Sequence, residues 1–223
     1  MHSTQHKCVT LVPIFNHLNP EQLDEVMAVA HATTYEKGEM IYRADESSDS
    51  LYIVSQGKIR IYRLAESGKE QLVRLLNPGD FTGEMALFNE TTHESYAEAM
   101  VATKVCQIRR QDLQTLLVKF PTISLKIMQE MSSRIEASEK QATWVSTESV
   151  EARLASFIAE NIEEKNGQQT VTLPMTKKDL ASYLGTTPET ISRKFSEFEE
   201  KGLIKQKPKK VIEVLNLDEL LLL

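Results

Sequence analysis

The ten residues TTPETISRKF, positions 186 to 195, decide how the rest of the chain reads. Thr187 is a residue type that caps helices, and Pro188 fits the first helical position, where its missing N–H is no loss. At 3.6 residues per turn Ile191, Phe195 and Phe198 share a face, which is expected inside. Glu189, Ser192 and Arg193 then face outward near the head of the helix. Just upstream, MTKKDLASYLG (175–185) reads as a shorter helix with Thr176 as cap. Leu180, Ala181 and Leu184 point one way, and Gly185 ends it. Ala181, Gly185 and Ile191 have the spacing of a helix-turn-helix: a small residue where the helices cross, glycine in the turn, an aliphatic locking the second helix. Gly202 closes that second helix. LIKQKPKKVIEVL (203–215) then reads as a hairpin with a basic tip around Lys207, Pro208 and Lys209, which makes the unit a winged helix-turn-helix.

In such a pair the N-terminal part of the second helix enters the major groove. Arginine can bond guanine bidentately and glutamate can accept from cytosine N4. Glu189, Ser192 and Arg193 are therefore expected to read base edges. Thr190 and Lys194 suit phosphate, with Thr187 beside them at the helix head. The charge distribution agrees. The whole chain of 223 residues carries −6, yet residues 170–215 hold nine cations against six anions, a net of +3. A locally basic region in an acidic chain suits contact with phosphate, although a solvated lysine-rich surface has the same composition.

The length fits one or two domains. No apolar run approaches bilayer length, and MHSTQHKCVTLVPIF lacks the long apolar core of a secretory signal, so a cytoplasmic location without membrane contact is expected. Residues 19–31, NPEQLDEVMAVAH, read as a short helix capped by Asn19 with Pro20 at its first position. From about 33 to 110 the texture is β: MIYR, LYIVSQ, KIRIYRL, QLVRLL and VATKVCQI, punctuated by glycines. In KIRIYR, Ile59 and Ile61 alternate with Arg60 and Tyr62, the period of a half-buried strand. Many short strands with glycine turns suggest a sandwich or barrel. From 111 to about 146 glycine is absent. Ile123, Ile127, Met131 and Ile135, with Leu125 and Met128 alongside, mark one long amphipathic helix, with Pro121 where it could restart. Ser138, Gln141 and Ala142 continue its stripe weakly. That thin stripe suits either the barrel or a second copy of the helix. TESVEARLASFIAENI (147–162) is a further helix, TVTLPM a short strand, and LDELLLL a short terminal helix.

These stretches together resemble the CRP/FNR superfamily of bacterial transcription regulators over nearly the whole chain. YLGTTPETISRKFSEFEEKGLI is similar to the family's recognition region, its E-T-I-S-R to the FNR branch. NPGDFTGEMALF resembles the segment that holds cyclic AMP in CRP-type members, and SYAEAMVATKVCQI an FNR segment. VEARLASFI resembles the helix after the dimerisation helix. The resemblance implies an α+β chain: a cupin-like β-roll of the cyclic-nucleotide-binding type over 1–118, a dimerisation helix over 119–147 and a winged helix-turn-helix over 148–223. It also implies a homodimer on double-stranded DNA with an operator similar to TTGAT and its inverted repeat, working with RNA polymerase.

Which signal the β-roll senses is read from the departures. Where CRP-type sensors follow Gly-Glu with Arg-Ser for the cyclic phosphate, this chain follows Gly83-Glu84 with Glu94-Ser95. A carboxylate there repels phosphate, so cyclic AMP is not expected. An iron–sulfur cluster of the FNR kind needs four thiolates, and the chain has two, Cys8 and Cys106. No cofactor is expected. The two cysteines occupy places that converge in FNR-type proteins, and the resemblance to FNR-like proteins of lactic acid bacteria implies a thiol–disulfide switch between them. Two unrelated thiols remain the alternative, as does a zinc site of His2, His6, Cys8 and Cys106. An unknown small molecule in the β-roll, or a cupin-type metal protein, are the other readings. No nucleotide loop, H-E-x-x-H or nucleophile elbow points to an enzyme.

Overall fold

The computed structural model describes residues 9–88, 91–165 and 167–223. The chain divides into two compact units, 1–135 and 136–223.

In the first unit, α1 (Pro20–Ala28) starts with a reciprocal cap. Asn19 Oδ1 accepts from the Gln22 N–H at 2.9 Å, and Gln22 Oε1 accepts from the Asn19 N–H at 3.0 Å. The helix is shorter than the expected 19–31. Its last turn closes at Val29, and His31 opens a strand, paired with Gln107. Ladder pairing outweighs helical continuation there. The strands are β1 (His31–Tyr35), β2 (Met40–Tyr42), β3 (Ser47–Ser48), β4 (Ser50–Gln56), β5 (Ile59–Leu64), β6 (Glu70–Leu76), β7 (Phe81–Thr82), β8 (Thr91–Thr92), β9 (Tyr96–Ala99) and β10 (Thr103–Arg109). They form antiparallel sheets in the orders β1-β10-β4-β7 and β2-β9-β5-β6, with a β3-β8 ribbon. This is the expected β-roll.

In the first of these sheets, β4 and β10 are buried on both faces. Tyr52, Val54 and Val105 pack against Ile41, Ile59, Ile61, Leu76 and Ala97 of the other sheet. The alternate residues Leu51, Ile53, Cys106 and Ile108 turn the other way, into a second core. Side chains alternate across a strand, so neighbours 105 and 106 serve different cores. The second core also contains Val9, Val12, Ile14 and Phe15, together with Leu113, Ile123 and Ile127.

Two helices cover this region, with the restart at Pro121: α2 (Arg110–Lys119) and the expected long helix α3 (Thr122–Thr147). Proline disfavours helical backbone in the residue before it, and Phe120 has left it, at φ −126° and ψ 76°. Along α3 the apolar stripe divides. Ile123 and Ile127 are buried, whereas Leu125, Met128 and Ile135 are 64%, 55% and 59% exposed.

In the second unit, α4 (Val150–Glu160) is capped by Ser149, whose Oγ accepts from the Ala152 N–H at 3.0 Å. Next come β11 (Glu163–Lys165), β12 (Gln168–Thr172), α5 (Lys177–Tyr183), α6 (Pro188–Glu200), β13 (Ile204–Lys207), β14 (Val211–Val214) and α7 (Leu217–Leu220). One antiparallel sheet runs β11-β12-β14-β13. The last turns of α3 dock here through Gln141 Nε2, which donates to the Tyr183 carbonyl at 3.0 Å, and through Lys140, 2.6 Å from Glu160. Among the described residues no helix is long and apolar enough to cross a membrane.

Candidate nucleic-acid interface and sensor region

Helix α5 is set by its cap. Thr176 Oγ1 accepts from the Asp179 N–H at 3.1 Å, and the Asp179 carboxylate accepts from Thr176 Oγ1 at 2.7 Å. Leu180, Ala181 and Leu184 are buried. Gly185 then takes φ +67°, a backbone state that favours glycine, and a Cβ there would sit 3.1 Å from Val145 Cγ1. The turn closes with the Thr186 N–H donating to the Ala181 carbonyl at 2.8 Å. Helix α6 begins with Thr187, whose Oγ1 accepts from the Thr190 N–H at 3.2 Å, and Pro188 follows.

Ile191, Phe195 and Phe198 are fully buried, so the remaining face of α6 is forced outward. Thr187, Glu189, Ser192 and Arg193 are exposed and Thr190 half-buried, all in the first two turns. The Arg193 side chain is 70% exposed, with Nε 3.7 Å from Glu197. The helix head adds its own partial positive charge. Lys194 stands apart from the other five. It is 20% exposed and tied to Glu151 at 3.2 Å and to Glu197.

The wing is the β13–β14 hairpin. Lys209 and Lys210 at its tip hold φ +61° and +63°. Both are exposed, and the Lys210 carbonyl accepts from the Leu173 N–H at 3.0 Å.

In the first unit, Cys106 lies in β10 between Ala32 of β1 and Ile53 of β4 and is 1% exposed. Cys8, like His2 and His6, lies outside the described residues. Val9, the next residue, is fully buried in the same core as Cys106.

A cavity of about 760 Å³ opens in the β-roll, lined among others by Tyr42, Arg63, Arg74, Glu84, His93 and Glu94. Its charged side chains are all engaged with one another. Glu94 meets Arg63 at the surface, and Glu84 lies 3.2 Å from Arg74 and 2.9 Å from Arg134 of α3. Burial pushes the Glu84 carboxyl up, but the two guanidinium groups outweigh it and hold it below the usual carboxylate range. Arg134 also donates to the Phe81 carbonyl at 2.9 Å and lies 4.2 Å over the Phe81 ring. His93 stacks on Tyr42 at 3.7 Å, and its burial pushes the imidazole pKa down. Both arginines lining the cavity thus face a carboxylate, which a cyclic phosphate would have to displace. Sequence reasoning missed the Arg74–Glu84–Arg134 group and Glu151, because neither leaves a local pattern.

Two family profiles match the chain: "Cyclic nucleotide-binding domain" over residues 32–120 and "Crp-like helix-turn-helix domain" over 152–223. The chain is 39% identical over 215 residues to "Probable transcriptional regulator flp" of Lacticaseibacillus casei, covering 96% of this chain and 97% of that one. It is 32% identical over 193 residues to the "Anaerobic regulatory protein" of Haemophilus influenzae, covering 84% and 74%. Among solved structures, FixK2 from Bradyrhizobium japonicum superposes with a TM-score of 0.73 at 26% identity, covering 86% of this chain and 96% of that one.

Proposed function

Because the chain belongs to the CRP/FNR family of transcription regulators, we propose that it binds a palindrome similar to TTGAT–ATCAA as a homodimer, under control of a Cys8–Cys106 disulfide. The DNA half rests on α6. With Ile191, Phe195 and Phe198 buried, Glu189, Ser192 and Arg193 stand exposed at the helix head, where a major groove is read. The dimer half rests on Leu125, Met128 and Ile135, an exposed apolar stripe at the spacing of a helix seam. Two copies joined there would offer two reading helices to the two half-sites. Cytoplasmic location and recruitment of RNA polymerase accompany this reading.

The switch rests on one observation: Val9 and Cys106 share a core, so the chain next to Cys8 is already anchored beside the strand that carries Cys106. A disulfide needs the α-carbons within about 4.4–6.8 Å. Closing it ties the N-terminal segment to β10, in the core that also holds Ile123 and Ile127 at the start of α3. A relative named for anaerobic regulation fits a redox signal. The test is binding of purified protein to a TTGAT–ATCAA duplex at fixed salt, oxidised and then thiol-reduced. A severalfold change that disappears in Cys8→Ser supports the switch. Equal affinity in both states removes it.

A second reading has its own observation. Glu84 Oε2, Arg74 Nε and His93 Nε2 are buried at the cavity without hydrogen-bond partners, as expected of a pocket that receives a polar small molecule. It requires a ligand-dependent change in DNA affinity that survives Cys8→Ser.

A further inference from the structure

Glu151 lies in the first turn of α4 and reaches both α6 and the residue that caps its C-terminal end. Its Oε2 is 3.2 Å from Lys194 Nζ, and its Oε1 is 3.2 Å from Lys201 Nζ. Positions 194 and 201 are seven residues apart, so they stand on one face of the helix about two turns apart. Lys194 is also paired with Glu197 three residues on. Only 20% of its side chain is exposed, against 70% for Arg193 beside it. Burial alone would raise the Glu151 pKa, but Lys201 and Lys194 outweigh that and hold the carboxyl below its usual range. Glu197 first, then Glu151, raises the Lys194 pKa, so its charge is committed to carboxylates. Helix α4 is joined to the end of α3 by two residues, Glu148 and Ser149. Glu151 therefore links the turn after the long helix to the helix that faces DNA.

We infer that Glu151 is a positioning residue that seats α6 against α4 and holds Lys194 away from DNA, so that Lys194 supports the reading helix and does not touch phosphate. This rests on α6 being the recognition helix. The two alternatives predict opposite signs. If Lys194 and Lys201 served phosphate, Glu151 would compete with DNA for them, and removing its charge would tighten binding. If Glu151 seats the helix, removing its charge weakens binding.

The experiment is a salt series on the TTGAT–ATCAA duplex with full-length wild type, Glu151→Gln, Lys194→Gln and the double variant. A lysine on phosphate contributes about 0.9 to the slope of log K against log salt. The expected result is a loss of about 3- to 10-fold in each single variant, no further loss in the double variant and an unchanged slope throughout. A gain or no change in Glu151→Gln, or a slope shallower by about 0.9 in Lys194→Gln, overturns the inference while wild-type binding keeps the recognition helix. No wild-type binding removes both. A melt followed by circular dichroism checks folding. Should the Gln variants not fold, Lys201→Gln, at a half-exposed side chain, is expected to keep the slope too, and a shallower one overturns the inference.

Discussion

Replacing Glu84 by Gln tests the charged group between the β-roll and the long helix. The substitution keeps shape and removes charge, leaving Arg74 and Arg134 facing each other without their shared anion. Glu84 accepts a charge-assisted hydrogen bond from Arg74 at 3.2 Å and forms an ion pair with Arg134 at 2.9 Å. Each such contact is worth about 1.5–3 kcal/mol when shielded. The guanidinium groups are 29% and 23% exposed, which favours the lower values, for a total of about 2–4 kcal/mol. In urea, with a slope of about 2 kcal/mol per molar, the unfolding midpoint is expected to fall by about 1–2 M. The pH dependence carries a signature. The folded-state pKa of Glu84 is depressed, so its stabilisation is complete above the unfolded value of about 4.3 and is lost as pH falls through the lower folded value. The gap between wild type and variant should hold steady from neutral pH to about 5.5 and shrink below about 4. An unchanged midpoint at pH 7, or a gap that ignores acid, would refute the ion-pair account.

Three further outcomes follow from single sites. Arg193→Ala should cost about 1–3 kcal/mol of DNA affinity and relax one base position; equal loss on every duplex would place Arg193 on phosphate instead. Phe195→Ala removes a fully buried ring and should cost about 3–5 kcal/mol in unfolding experiments, with a smaller loss showing that the second unit's core collapses around the gap. Leu125→Glu with Ile135→Glu alters exposed positions, so folding should change by no more than about 0.5 kcal/mol per site while sedimentation shows the dimer lost; an intact dimer would place its seam elsewhere.

The helix pair was legible because its rules are local. Thr176 with Asp179, Gly185 past a helix end and Thr187 before Pro188 each act within four residues, and each appears as a hydrogen bond or a dihedral angle. Alternation in KIRIYR likewise gave the buried Ile59 and Ile61, but not Tyr62, which is buried too because the register shifts between Ile61 and Tyr62. The α1 boundary was not legible, because His31 is taken by a strand partner 76 residues away, at Gln107. The same holds for charge. Lys194 in sequence is a cation beside an arginine; its partner Glu151 is 43 positions distant and reachable only once α4 and α6 are packed. Periodicity put Ile135 in the same stripe as Ile123 and Ile127, but the packed core ends before it. A stripe gives direction around a helix and not how far along it the neighbours extend.

The two wing lysines have a consequence for how this chain divides fitness between folding and binding. A non-glycine residue in left-handed backbone costs about 1–2 kcal/mol, and Lys209 and Lys210 adopt it side by side. Asn-Gly in their place would relax the turn and remove two positive charges from the region that carries the surplus. Stability and salt-sensitive DNA affinity should then move in opposite directions. Substitutions chosen only to raise the melting temperature would be drawn to this tip, and there a sturdier protein would be a weaker binder.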